Sequence, residues 1–189
     1  LTVSRYSSEK NLESIIRVAS LCREYEFIIC GSTSGEVSKR YIERLENLID
    51  SLRLDNIILR RDCPRSDVER LYREAKIYLH PVYPEHFGIA IAEAMSFGVV
   101  PLVFRDGGAY TDLVPDESYG YSEVNEACSK IRGLIRDRDL WLRMSVRAWE
   151  RSRYFSYDSF RDKITRIVRY VYALKLRDSE IIRSTDLLL

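Results

Sequence analysis

Two glutamates, Glu85 and Glu93, stand eight residues apart at the start of a strongly apolar segment. The run of residues 84–89 that contains Glu85 follows a strand-like segment and opens a helix-like one. Gly88 in this run lets a ligand approach the backbone closely. The first N–H groups of a helix have no partner within it, and the helix dipole favours an anion beside them. The segment therefore predicts a phosphate site.

The spacing of the two glutamates suits a ligand that has hydroxyl groups at both ends and phosphates between them. Eight residues of helix rise by about 12 Å, and helical side chains lean toward the N-terminus, so Glu93 is expected to point toward the same opening as Glu85. A nucleotide sugar has this shape. A solvated pair of carboxylates is the alternative interpretation, but Glu93 is flanked by Ala92 and Ala94, where an unbonded carboxylate is costly.

Strand-like and helix-like segments alternate along the chain and must position these glutamates. Short apolar runs predict strands, which cover residues 1–3, 27–30, 56–59, 77–82 and 99–104. Apolar residues at helical spacing predict helices, which cover residues 11–23, 37–52, 66–74, 87–97 and a last region from 120 to about 172. We therefore predict an α/β domain, a Rossmann-like doubly wound parallel sheet with helices on both faces. Ligands of such sheets bind beyond the carboxyl ends of the strands.

The composition is that of a soluble globular domain. The chain has 189 residues, of which 46% are hydrophobic and 31% charged, and no apolar run approaches the roughly 20 residues of a membrane span. The net charge of +1 argues against a nucleic-acid-binding protein, which usually has a clear basic excess. We predict one domain over residues 1–175 and a tail of uncertain order over residues 176–189. The start at Leu1, in a strand-like segment without a signal peptide, suggests a fragment of a larger protein.

Buried positions are predicted from apolar surroundings. The helix over residues 87–97 is apolar nearly all round and is expected to be buried, and His80, inside a strand-like run, is expected to pack in the core. The cysteines are all expected to be free, reduced and structural, and they are Cys22, Cys30, Cys63 and Cys128. They form no Cys-x-x-Cys pair and the chain has only two histidines, so a structural zinc site and a disulfide scaffold are both disfavoured.

Motifs along nearly the whole chain resemble those of the retaining glycosyltransferase family 4, which has the two-domain GT-B fold. The spacing of Glu85 and Glu93, with Phe87-Gly88 between them, is similar to the signature of that family. Further similar elements occur in the family's order, and they are residues 3–10 (VSRYSSEK), residues 27–32 (FIICGS), Ala94-Met95, Gly98, Gly107-Gly108 and residues 155–158 (FSYD). Together these elements cover about residues 3–172.

The resemblance implies a role for each matching residue. Arg5 and Lys10 would hold the donor diphosphate and neutralise the leaving nucleotide. Glu85 would bind sugar hydroxyls beside the reacting carbon, and Glu93 would bind the ribose hydroxyls. The other implied donor-binding residues are His86, Phe87, Gly88 and Ile89 for the phosphates, and Arg61, Asp62 and Cys63 for the base. The resemblance implies no metal or other cofactor, because Arg5, Lys10 and the helix terminus supply the positive charge.

Two positions depart from the family pattern, and one of them bears on the donor. Ser4 and His86 both stand where the family more often has glycine. Residues 85–89 (EHFGI) resemble the mannosyltransferases that extend a lipid-linked oligosaccharide on the cytoplasmic side, which favours GDP-mannose over UDP-sugars. The resemblance implies that the chain is the C-terminal donor-binding half of a retaining enzyme. This enzyme would transfer a hexose to an acceptor hydroxyl, and mannose is the favoured hexose.

The resemblance also implies partners and a location. A glycan or lipid-linked acceptor would bind through a missing N-terminal domain, so the isolated domain is expected to bind donor with little or no turnover. The expected location is the cytoplasm or the cytoplasmic face of a membrane, with peripheral association of the full-length protein. A non-catalytic nucleotide-binding regulatory module of the same fold is the alternative. A phosphorylase that uses pyridoxal phosphate would need a cofactor lysine in matching context, which the sequence does not offer.

Overall fold

The computed structural model describes the backbone of residues 1–185 and the side chains of residues 1–175. In chain order the strands are β1 (Thr2–Val3), β2 (Phe27–Gly31), β3 (Ile57–Arg61), β4 (Ile77–Leu79), β5 (Val100–Phe104) and β6 (Gly120–Tyr121). The α-helices are α1 (Glu13–Leu21), α2 (Gly35–Ser51), α3 (Arg65–Glu74), α4 (Ile89–Ser96), α5 (Val124–Arg136), α6 (Arg138–Ser152) and α7 (Tyr157–Thr185). The chain divides into two compact units, of which Leu1–Ser152 contains all of these strands and Arg153–Leu189 contains α7.

All strand pairs are parallel, in the orders β1-β2-β3 and β4-β5-β6. Two hydrogen bonds join these two sets of three strands. The amino group of Leu1 donates to the carbonyl of Ile77 at 2.9 Å, and the N–H of Leu79 donates to the carbonyl of Leu1 at 2.8 Å. The strands therefore lie in the order β3-β2-β1-β4-β5-β6, which reverses between β1 and β4. Such a reversal leaves a crevice at the carboxyl ends of the two strands. The predicted doubly wound α/β fold is confirmed.

The core is built by the apolar stripes that the sequence predicts. On α1, Leu12, Ile15, Ile16 and Ala19 share one helical face, and all four are buried. Strand β2 is buried almost throughout, as expected of a strand covered on both faces. Burial of each of the leucine and isoleucine side chains contributes about 1.5–3 kcal/mol. This core holds the ends of β1 and β4 at a fixed separation.

The region after Tyr119 differs in part from the helical region that was predicted from residue 120 to about 172. Gly120 and Tyr121 form β6, which pairs with Val103 and Phe104 of β5. A two-residue strand is too short to have a recognisable period. The helical region is also broken at Asp137, whose backbone is extended. The predicted boundary between residues 175 and 176 falls within α7 and stays a prediction; residues 186–189 of the predicted tail lie outside the described residues.

The prediction of four free cysteines is wrong for two of them. Cys22, at the end of α1, and Cys128, on α5, form a disulfide across a sequence separation of 106 residues. The two helices pack together, so the bond depends on tertiary contact that no cysteine spacing could indicate. Cys30 and Cys63 are free, and the predicted burial of Cys22 and Cys30 is confirmed. Among the helices that the structure describes, none is both long and apolar enough to cross a membrane.

Candidate functional site

A cleft opens at the carboxyl ends of β1 and β4 and has two adjoining halves. Both halves are lined by Val3 at the end of β1, by Ser4 and Arg5, which follow this strand, and by Ile89 and Ala90, which begin α4. The first, named the Glu85 half, has a volume of about 540 Å³ and is also lined by Lys10, His80, Glu85, His86, Phe87 and Gly88. The second, named the Glu93 half, has a volume of about 370 Å³ and is also lined by Cys30, Gly31, Ser32, Asp62, Cys63 and Glu93. These volumes suit a small-molecule ligand.

In the Glu85 half, Lys10 and Glu85 form an ion pair between positions 75 residues apart. The Nζ atom of Lys10 lies 2.7 Å from Oε2 of Glu85, and the N–H of His86 donates to Oε1 of Glu85 at 3.1 Å. The two charged side chains are only 15% and 22% exposed. Burial acts to raise the pKa of Glu85, but the bond and the charge of Lys10 outweigh it, so the pKa is lowered. Glu85 is therefore a carboxylate near neutral pH.

Two glycines hold the Glu85 loop in place from the β5 side. The N–H of Ala109 donates to the carbonyl of Glu85 at 2.9 Å. A Cβ atom at Gly108 would lie 1.9 Å from the carbonyl oxygen of His86, and one at Gly107 would lie 2.6 Å from that of Glu85. Gly107 also has a φ of +85°, which side chains disfavour. The glycine pair thus allows a close backbone contact that fixes Glu85 and His86.

Helix α4 begins at Ile89, directly after Gly88, whose φ of +85° is left-handed, and the first turn of the helix faces the cleft. The prediction that residues 87–97 form a buried helix is wrong at this end, because Phe87 precedes the helix and is exposed, and Ile89 is 69% exposed. An all-round apolar pattern cannot separate core from cleft lining. The N–H groups of Ile91 and Ala92 donate to the carbonyl of Gly88, so those of Ile89 and Ala90 precede the bonded turn. This is the anion-binding geometry expected of a helix N-terminus.

In the Glu93 half, the carboxylate of Glu93 is held by two residues of α3. Arg65 donates from NH1 to Oε1 at 2.8 Å, and the hydroxyl of Tyr72 donates to Oε2 at 3.3 Å. These bonds satisfy a carboxylate that stands between apolar residues. Neither Arg65 nor Tyr72 was predicted as a partner of Glu93. Their spacing of seven residues, two helical turns on one face of α3, is the signal that was available.

The loop after β3 brings two of its three predicted residues to the cleft. Asp62 has a left-handed φ of 48°, and its carboxylate accepts bonds from the N–H of Thr33 at 2.7 Å and from the hydroxyl of Thr33 at 2.6 Å. These bonds lower the pKa of Asp62. Asp62 and Cys63 line the Glu93 half. The side chain of Arg61 instead pairs with Glu46, and Arg61 is not among the described residues that line either half.

Arg5 borders both halves and is held by its backbone rather than by its side chain. The guanidinium is exposed and lies 3.6 Å from the carboxylate of Glu9. The N–H of Ser4 donates to the carbonyl of Cys30 at 3.0 Å, which carries the chain past β2. A Cβ atom at Gly31 would lie 1.9 Å from the carbonyl oxygen of Ser4, so glycine is needed there. The contact leaves Ser4 and Arg5 at the mouth of the cleft.

His80 belongs to the wall of the Glu85 half, which the sequence analysis missed. Its predicted burial is confirmed at 4% exposure, and its Nδ1 atom has no hydrogen-bond partner among the described residues. The backbone N–H of His80 donates to the carbonyl of Leu102 at 2.9 Å, and the backbone carbonyl of His80 accepts from the hydroxyl of Tyr121. Burial lowers the pKa of His80 to about 4, so the ring is neutral near pH 7. Its position just after β4 was the available signal.

The sequence matches a known family over most of its length. Residues 1–149 match the family model described as "Glycosyl transferases group 1". The chain is 24% identical over 193 residues to the GDP-Man:Man(3)GlcNAc(2)-PP-Dol alpha-1,2-mannosyltransferase of Dictyostelium discoideum. The aligned region covers 95% of this chain and 38% of that protein. The chain is 26% identical to the mouse (Mus musculus) protein of the same name, over 70% of this chain and 29% of that protein. The chain therefore spans well under half of these relatives.

Solved structures confirm the fold. The structure is similar to Anabaena HepE in complex with UDP-glucose, with a TM-score of 0.78 and 21% identity over 89% of this chain and 48% of that chain. It is similar to sucrose-phosphate synthase from Thermosynechococcus elongatus, with a TM-score of 0.74 and 20% identity over 92% and 45%. It is also similar to the C-terminal domain of LpcC, a glycosyl transferase group 1 family protein from Francisella tularensis, with a TM-score of 0.68 and 18% identity over 79% and 82%.

Proposed function

Because the chain belongs to the glycosyl transferases group 1 family, we propose that it is the donor-binding half of a retaining enzyme that uses a nucleoside diphosphate sugar. One observation carries the proposal: Glu85 and Glu93 line the two halves of one cleft, and the start of α4 lines both halves between them. Glu85 would accept hydrogen bonds from sugar hydroxyls. The phosphates would lie at Ile89 and Ala90, and the ribose would lie at Glu93.

The charges of the cleft support this orientation. Arg5 is exposed at the junction of the halves, where a diphosphate would lie. Lys10 has three N–H donors, one of which bonds Glu85, and its ammonium also lies 4.4 Å from the centre of the Tyr83 ring. A free donor of Lys10 can therefore reach a phosphate while Glu85 stays paired. Because its pKa is lowered, Glu85 positions the sugar as a carboxylate and does not supply a proton.

The reaction that we propose has one bond-forming and one bond-breaking event at the anomeric carbon. The acceptor oxygen forms a bond to this carbon on the face from which the phosphate leaves, and the bond to the phosphate oxygen breaks. The leaving diphosphate takes the acceptor proton. Arg5, Lys10 and the N-terminus of α4 would stabilise the charge that develops on the diphosphate, which is the main catalytic task of such groups.

The names of the similar proteins support GDP-mannose as the donor. The relatives from Dictyostelium discoideum and mouse are both named GDP-Man-dependent alpha-1,2-mannosyltransferases. A UDP-sugar is the other candidate, because HepE has the same fold and was solved with UDP-glucose. We propose that a glycan or lipid-linked acceptor binds to a part of the protein that this chain does not include, and that the chain alone binds donor but transfers little sugar.

Calorimetry with GDP, UDP and ADP tests the proposal on the isolated chain. We expect GDP to bind most tightly, and Glu93→Ala to weaken it by roughly tenfold or more, because each lost bond to a charged group is worth about 1.5–3 kcal/mol. Glu36→Ala is the matched control, since it removes a carboxylate that pairs with exposed Lys39 on α2. If none of the nucleotides binds, or if Glu93→Ala binds as the wild type does, the proposal is overturned. Sugar transfer by the full-length protein would exclude a purely regulatory module.

A further inference from the structure

Two free thiols, those of Cys30 and Cys63, meet at the wall of the Glu93 half. Cys30 is the fourth residue of β2 and is buried, while Cys63 follows β3 and is half-buried. Both residues line the same 370 Å³ cavity beside Glu93. Burial and the neighbouring Cys63 thiol both raise the pKa of Cys30. The wall that faces the proposed nucleoside therefore contains two free thiols for which the proposed transfer has no covalent role.

The backbone holds these two thiols together. Cys30 stands opposite Arg60 in the register of β2 and β3. Cys63 lies three residues after Arg60 along the chain. The N–H of Asp62 then donates to the carbonyl of Gly31 at 2.8 Å, and the left-handed turn at Asp62 directs the chain back over the end of β2. The bonds from Thr33 to the Asp62 carboxylate fix this turn from the other side. The proximity is a property of the fold and not of one flexible side chain.

We propose that Cys30 and Cys63 form a redox-active dithiol, a modification site at which a low-molecular-weight disulfide cross-links the wall of the cleft. Cys63 is the accessible, reacting thiol, and Cys30 is the buried, resolving thiol. The cross-link draws the loop of Asp62 and Cys63 toward β2 and reshapes the Glu93 half. This effect on nucleotide binding rests on the proposed function, whereas formation of the cross-link does not.

The chemistry balances in two exchange steps. The Cys63 sulfur attacks one sulfur of the external disulfide, whose S–S bond breaks, and the released thiolate takes the proton that Cys63 loses. The Cys30 sulfur then attacks the sulfur of Cys63, and the second small thiol leaves with the proton of Cys30. Two protein thiols are oxidised and the external disulfide is reduced to two thiols. Burial is the main cause that raises the pKa of Cys30 to about 12, so the second step becomes faster as the pH rises.

Peptide mapping of the whole chain after treatment with oxidised glutathione tests the cross-link. At mildly alkaline pH the wild type should yield a linked Cys30–Cys63 peptide that has lost two hydrogen atoms. Cys30→Ser should retain one glutathione on Cys63, and Cys63→Ser should leave Cys30 unmodified. A wild type that retains glutathione on Cys63, or that does not react at either residue, overturns the proposal. So does modification of Cys30 in Cys63→Ser, since Cys63 is assigned as the entry point.

The effect on the cleft is measured by GDP calorimetry on the reduced, oxidised and re-reduced chain. We expect roughly tenfold weaker binding after oxidation and recovery after reduction. The double variant Cys30→Ser with Cys63→Ser is the control, because it keeps the Cys22–Cys128 disulfide and reports any change that arises there. If the reduced chain binds no nucleotide, the proposed function fails while the peptide map still decides the cross-link. If the cross-linked chain binds GDP as tightly as the reduced one, the coupling to the cleft is overturned.

Discussion

The Glu85 half and the Glu93 half of the cleft each contain a glutamate, but their surroundings differ. Glu85 is paired with Lys10 in a largely buried bond, and its backbone is fixed by Gly107 and Gly108. Glu93 is paired with Arg65, whose side chain is 59% exposed and shared with a second carboxylate. Buried charges are strongly destabilised when a partner is removed, whereas exposed pairs contribute little. The first half is therefore rigid, and the second can adapt.

This difference matches the two tasks in the proposed reaction. At the Glu85 half a bond is broken, and small displacements of the sugar there are costly to the rate. At the Glu93 half a nucleoside is recognised, and exposed partners such as Arg65 can change their bonds when a ligand arrives. The free thiols Cys30 and Cys63 lie in the adaptable half. Three experiments can break or sharpen this comparison.

The largest effect is expected from acid acting on the Glu85 half through His80. The pKa of its ring falls from 6.5 to about 4 on folding, so below pH 6.5 the unfolded chain binds a proton that the folded chain does not. The free energy of unfolding should fall by about 1.4 kcal/mol per pH unit as the pH drops through this window. Urea unfolding at a series of pH values measures the slope, and His80→Gln should reduce it by about this amount. The control His86→Gln, at the exposed second histidine, should keep the slope of the wild type. Equal slopes in His80→Gln and the wild type would contradict the conclusion that burial lowers the pKa of His80.

Gly108→Ala should disrupt the rigid half with an effect of roughly 1–3 kcal/mol, the range for overpacked sites. The new Cβ atom would lie 1.9 Å from the carbonyl oxygen of His86, so the loop that holds Glu85 must move. We expect lower stability in urea and loss of GDP binding in calorimetry. Gly133→Ala on α5 is the control, because its Cβ atom would meet no described heavy atom within 4 Å and should stabilise the helix by up to about 1 kcal/mol. Unchanged GDP binding by Gly108→Ala would show that the Glu85 loop is not rigid.

The smallest effects are expected when the Lys10–Glu85 and Arg65–Glu93 ion pairs are each broken and their losses of stability are compared. Lys10→Met leaves Glu85 partly buried without its cation, and should lower the free energy of unfolding by about 1–2 kcal/mol. Arg65→Met removes an exposed partner of Glu93 and should cost less than about 1 kcal/mol. Urea unfolding of both variants at neutral pH gives the comparison. Equal losses, or a larger loss for Arg65→Met, would remove the distinction between a rigid and an adaptable half.

Much of the fold could be predicted because its signals are local. Apolar spacing located β2 and the stripe of α1 that carries Ile15 and Ile16, and the alternation of such segments predicts a parallel sheet. Strand β6 was missed because two residues contain no period. The disulfide between Cys22 and Cys128 was missed because it depends on the packing of α1 against α5. A local pattern can predict only a single helix or strand. Strand β6 depends on its pairing with β5, and the disulfide depends on the packing of two helices.

The candidate site was predicted in the same uneven way. Glu85 and Glu93 were found from their spacing, and Arg5 and Lys10 were assigned to the same site by the family resemblance. The ion pair of Lys10 with Glu85 joins residues 75 positions apart, and no local pattern contains it. The family resemblance assigned Arg61, at the end of a strand, to the base, yet its side chain pairs with Glu46. Where a side chain points depends on which charges lie within its reach.

The sequence by itself determined the class of the sheet and the residue types that can hold a phosphorylated ligand, because apolar period and side-chain chemistry are properties of neighbouring residues. Only the tertiary structure decided which charges are neutralised. The order β3-β2-β1-β4-β5-β6 brings Lys10 to Glu85 and sets His80 in the cleft wall, and the packing of α3 beside α4 brings Arg65 to Glu93. Those pairings arise from strand order and helix packing, which join residues far apart in the chain.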